Sequence, residues 1–150
     1  MLSGCAHIEE RAILDKTVLQ PILSDLVSGN VTELRIIDRR YTTTPWPASE
    51  RDIESYPDAK DISLPLDEST RMELVDALRR TQLESLPGAS NLGCGVVFYG
   101  NGKRRLFAFW MERTYLFQRN RTGTIDGYRV KIVGPLPKWV EKQCSKRTNY

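Results

Sequence analysis

From Gly95 to Val133 the chain offers one strand-like segment after another, at Gly95–Tyr99, Arg104–Met111, Arg113–Phe117 and Gly127–Val133. Segments this short, joined by short connections, predict an antiparallel meander. Asn101-Gly102 lies between the first two, and both residue types tolerate the positive φ of a type I′ turn, so a tight hairpin is expected there. The next reversal is expected near Glu112. Phe107, Phe109 and Met111 alternate with Leu106, Ala108 and Trp110, which makes that strand apolar on both faces and places it near the sheet centre. Tyr128, Val130 and Ile132 alternate with Arg129 and Lys131, giving the last strand one buried face and one basic, wet face.

The segments before this block read mainly as helix. Leu14, Val18, Ile22 and Leu26 recur every fourth residue, with Leu19 and Leu23 beside them, as one face of a helix requires. Pro21 interrupts the pattern: it removes a hydrogen bond and clashes with the carbonyl of Thr17, so the helix must kink or a second one start there. Gly29-Asn30 stops it, and Val31–Ile37 reads as a strand with Leu34 and Ile36 opposite Arg35. Residues 39–65 have no period and carry Pro45, Pro47, Pro57 and Pro65, a composition that predicts a long irregular connection. Asp67 is placed to cap a helix over Glu68–Glu84 that sends Leu74, Val75, Leu78 and Leu83 to the core and ends at Pro87-Gly88. A short last helix is expected over Pro135–Gln143, docked through Trp139 and Val140.

The expected fold is therefore α+β: an N-terminal helix or kinked helix pair, a long loop, one central helix on an antiparallel sheet of about four to five strands, and a short C-terminal helix. At 150 residues there is room for one core, and the expected division is a tether over 1–10, one domain over 11–146 and a basic tail over 147–150.

Charge is unevenly spread along the chain. Residues 1–102 carry 10 basic and 16 acidic side chains, a net −6, whereas residues 103–150 carry 12 basic and 3 acidic, a net +9. A basic half of this kind attracts polyanions or an acidic protein surface. Arg104, Arg105, Arg119 and Arg121 are the cationic candidates for partner contact. Tyr41, Trp46 and Tyr56 are the aromatic ones, Trp46 between two prolines being either a rigid anchor or a plug over an open sheet face.

Catalytic constellations are not found. The one histidine, His7, lies in the expected tether, which leaves no in-chain base for a Ser-His-Asp or Cys-His arrangement. The three cysteines stand 89 and 50 residues apart without companion ligands, unlike a zinc site. Glu50, Asp52, Glu54, Asp58 and Asp61 invite a calcium reading but lack the oxygen spacing and turn glycine of an EF-hand loop. The residues point to a binding module, with no enzyme activity, cofactor or metal expected.

Leu2-Ser3-Gly4-Cys5 resembles the lipobox of bacterial lipoproteins, a branched apolar residue and two small ones before a cysteine. The resemblance implies that the Cys5 thiol receives a diacylglyceryl group and anchors the domain to a membrane, each buried methylene contributing about 0.8 kcal/mol. Ala6 in the next position implies sorting to the outer membrane, on its periplasmic side. The longest strongly apolar run, Leu106–Met111, is far below the roughly 20 residues of a membrane span, so a lipid is the expected anchor. With Cys5 so used, Cys94 and Cys144 remain, either bridged in an oxidising compartment or as two independent buried thiols. A bridge would close a loop of about fifty residues, worth roughly 4 kcal/mol. In architecture and location the chain resembles immunity proteins that neutralise toxins from rival cells. The partner implied is a protein, a toxin or an envelope component, and no nucleic acid is expected. An envelope-assembly lipoprotein and a cytosolic nucleic-acid-binding domain using the basic strands are the alternatives.

Overall fold

The computed structural model describes residues 14–39, 49–55, 61–88, 91–112 and 121–148. A π-helical turn over Asp15–Leu19 runs directly into α1, Gln20–Val27, with Leu19 and Gln20 both in right-handed helical geometry. Pro21 therefore lies in the first turn of α1, as the second of its two expected placements has it, with the helical path continuous from the π turn. The turn before it is widened by a residue, and Gln20 donates its N–H to the carbonyl of Asp15, so the lost proline donor is absorbed in a π bulge. Leu14, Val18, Leu19, Ile22 and Leu26 are all buried, as their spacing requires.

The remaining elements are β1 Glu33–Asp38, α2 Glu50–Ser55, β2 Ile62–Pro65, α3 Glu68–Arg79, β3 Gln82–Ser85, β4 Leu92–Tyr99, β5 Arg105–Glu112, β6 Thr122–Ile125, β7 Tyr128–Val133 and α4 Leu136–Thr148. All seven strands join one antiparallel sheet in the order β2-β1-β4-β5-β6-β7-β3. The α+β class holds, but the sheet has more strands than the expected four to five. Two of the extra strands are its four-residue edges. β2 falls inside the segment whose composition predicts an irregular connection, and β3 takes the last residues of the helix expected over Glu68–Glu84. That helix ends at Arg79, and Leu83 is buried as a strand residue opposite Ile132. Asp67 caps α3 as expected, its carboxylate accepting from the Thr70 N–H at 2.7 Å. That bond holds the Asp67 carboxyl below the usual range.

Two reversals differ in detail from the sequence reading. The β4–β5 connection spans Asn101–Lys103, with Gly102 at φ +69° and Lys103 at φ +59°, so the left-handed positions fall one residue later than a type I′ turn on Asn101-Gly102 would put them. The β6–β7 hairpin turns on Asp126 and Gly127, at φ +47° and +86°, a type I′ pair the sequence displays openly. Tyr128, next to that turn, is exposed and not core. The segment Arg113–Phe117 lies outside the described residues.

The π turn, α1, α3 and α4 cover one face of the sheet over a core built on Leu34, Ile36, Val96, Phe98, Phe107, Phe109, Ile125, Val130 and Ile132. Phe98 is its hub, with Phe107, Phe109 and Trp139 of α4 at ring separations of 4.7, 5.2 and 6.1 Å. The opposite face holds a second cluster of Ile37, Leu92, Val97, Ala108 and Trp110. β5 is apolar on both faces and lies fourth of seven, as its sequence predicts.

Candidate functional site

The outer face of the sheet gathers the charged groups that sequence spacing left scattered. α2 lies across it. Ser49 and Asp52 form a reciprocal cap, the Asp52 N–H donating to Ser49 Oγ at 3.2 Å and the Ser49 N–H to Asp52 Oδ2 at 3.3 Å. A helix of six residues is far too short to persist by itself, so tertiary contacts must hold it. Ile53 supplies the apolar one, packing on the Ile37–Trp110 cluster. Two arginines from the sheet supply the polar ones: Arg35 on β1 donates to the Glu54 carbonyl at 3.0 Å, and Arg105 on β5 donates through Nε to Glu54 Oε1 at 2.6 Å.

The acidic residues of this region are thus clamp partners. Asp61 receives Arg35 at 2.7 Å and Arg39 at 3.1 Å, with all three side chains largely buried. Burial alone would lower the Arg35 pKa, but the hydrogen bonds from its guanidinium to Asp61 and Tyr99 outweigh it and raise the value. Glu50 stands one helical turn before Glu54. Burial, with Glu54 and Asp126 adding to it against Arg105 and Arg51, pushes its carboxyl up to about 7. Such a group takes up or releases a proton near neutrality. Asp58 lies outside the described residues.

Arg105 and Glu54 have side chains 15% and 9% exposed, so removing one strands the other. Arg105→Leu is expected to destabilise the fold by about 2 kcal/mol, and Glu54→Gln to recover part of that loss in the double variant, measured by urea unfolding. Equal losses in single and double variants would contradict this.

On the helical side, Cys94 of β4 and Cys144 of α4 are joined as a disulfide with a Cα–Cα distance of 6.4 Å. A small cavity of about 40 Å³ lies beside it, bounded by Met111, Val140 and the ion pair of Arg121 with Glu141. At the same end of the sheet Glu112 accepts from Thr122 at 2.6 Å and from Arg129 at 2.7 Å. The latter bond raises the Arg129 pKa.

Among the described residues, the cationic candidates are not brought together. Arg104 is exposed beside the β4–β5 turn. Arg105 is committed to Glu54 on the outer face, whereas Arg121 reaches Glu141 in the helical layer, at the far end of β5. Cys5, His7, Tyr41, Trp46, Tyr56 and Arg119 lie outside the described residues. Asp126 and Trp110 join this face without being candidates in the sequence, and Glu50 is visible there only as one of five acidic residues. The Asp126-Gly127 turn was a visible signal, but the approach of β5 to α2 was not. Among the described residues, no group of three or more His, Cys, Asp or Glu side chains is arranged to hold a metal ion, and no helix is long and apolar enough to cross a membrane. No protein-family model, curated protein or solved structure matches the chain.

Proposed function

We propose that this chain is a periplasmic protein-binding module, anchored through a lipid on Cys5 and acting by surface occlusion, as an immunity protein acts on a toxin. The observation that carries the reading is the Cys94–Cys144 pair, which accounts for two of the three cysteines and leaves Cys5, the lipobox-like one, as the third. A buried disulfide fits an oxidising compartment. The internal pairing of Arg105 and Arg121 speaks against the nucleic-acid alternative, because paired guanidiniums release fewer counterions to a polyanion.

The test is lipidation in a living bacterium. Expressed from its natural gene with labelled palmitate, the protein is expected to take up label and fractionate with the outer membrane, and Cys5→Ser is expected to abolish both. Unlabelled wild-type protein in the cytosol would overturn the envelope reading. A stoichiometric toxin captured from neighbouring cells, and neutralised by the purified domain, supports occlusion; capture of envelope-assembly machinery alone favours the structural alternative.

A further inference from the structure

Among the described residues, α2 meets the sheet through one isoleucine and two arginine contacts to Glu54. The fastening point is also electrostatically overloaded. Glu50 and Glu54, four residues apart, present two carboxyls to the side of α2 that meets Arg105. Arg105 already gives Nε to Glu54 Oε1 and has Asp126, in the β6–β7 turn, 3.9 Å from its NH1. Two carboxyls therefore share one guanidinium, and Glu50 adds a third that feels its charge without a recorded ion pair to it. Among the described residues, Glu50 Oε1 is buried without a hydrogen-bond partner, as is Glu54 Oε2.

We propose that α2 is a pH-sensitive strap across the outer sheet face, held shut while the Glu50 carboxyl is protonated within the Glu54–Arg105–Asp126 cluster and loosened when it ionises. The charged groups that bear on Glu50 are Glu54 and Arg51 from α2, Arg105 from β5 and Asp126 from the β6–β7 turn. Protonating Glu50 relieves two carboxylate repulsions and the cost of burying an unsolvated charge. The direction follows from linkage. The carboxyl titrates at about 7 in the closed strap and near 4.5 when released. The closed form thus binds a proton more tightly, and its advantage is full below about 4.5 and lost as pH rises toward 7. Loosening uncovers the Ile37–Val97–Trp110 surface beneath Ile53. The strap is thus a proton-dependent control on access to that apolar surface, and it holds whether or not the lipid anchor does.

Amide hydrogen exchange on the intact protein tests it, with rates corrected for intrinsic base catalysis. Protection at the Ile53 amide, which donates to the Ser49 carbonyl, is expected to fall about tenfold between pH ~6 and ~8, while amides in β4 and β5 keep theirs. In Glu50→Gln, which carries no titrating group there, the Ile53 amide is expected to remain protected at both pH values. A wild-type strap indifferent to pH, or a Gln variant with the same pH dependence, would overturn the proposal. Carbon-13 NMR titration of wild-type Glu50 decides independently of the variant: a midpoint near 7 supports the strap, and one in the ordinary carboxylate range overturns it.

Discussion

Replacing Cys94 and Cys144 together by alanine is expected to lower the unfolding free energy by about 4 kcal/mol, a large share of the roughly 5–15 kcal/mol available to a domain of this size. The two cysteines are 50 residues apart in sequence, so their bond removes a large loop from the freedom of the unfolded chain. Both are buried, and alanine there also gives up sulfur contacts in the core. The bond ties the last helix to a strand in the middle of the sheet. Reduction is nevertheless not expected to unfold the protein outright, because α4 stays docked through Leu136, Val140 and the Trp139 ring over Phe98. Urea unfolding of oxidised, reduced and double-alanine protein measures this. Both of the last two should have midpoints well below the first, with the double-alanine protein the lower because it also loses the sulfur contacts, and coincidence of oxidised and reduced midpoints would show that the bond contributes nothing to stability.

The physical range of each interaction separates what could be read in the sequence from what could not. The N-terminal helix was legible from Leu14, Val18, Ile22 and Leu26 because its core stripe is periodic within the segment, and β5 was legible because Phe107 to Trp110 is apolar at successive positions. β2 and β3 were not, since four residues carry too little pattern and each exists by pairing with a strand far away in the chain. Leu83 sits five residues after Leu78, so it passed for one more helical core position when the chain had already turned at Arg80. α2 was illegible for the same reason on a larger scale. Its anchor, Arg105, is 51 residues from Glu54, and the acidic segment looked like solvated loop until that guanidinium was placed against it. The cysteine pair stood between these cases: arithmetic could name its members, but only proximity could join them.

Gly95→Ala tests a close contact between neighbouring strands on the outer face of the sheet. Gly95 is paired with Trp110 across β4 and β5, and the indole lies flat over the glycine, so that an added Cβ would fall inside the van der Waals envelope of the ring. Trp110 is fully buried in the outer cluster and has nowhere to swing. The Gly95→Ala cost is expected to be about 3 kcal/mol, toward the upper end of overpacking penalties. Trp110→Ala by itself should cost about 3–5 kcal/mol through the cavity it leaves, which makes the pair suitable for a double-mutant cycle. With the indole gone, the three atoms nearest the alanine methyl at position 95 are removed, and its β propensity exceeds that of glycine. Gly95→Ala in the Trp110→Ala background is therefore expected to be neutral or mildly stabilising, a coupling of about 3 kcal/mol between the two sites. Chemical denaturation of the four proteins reads that coupling. Additive losses would mean that the glycine is demanded by the backbone of β4, and that the indole does not set its identity.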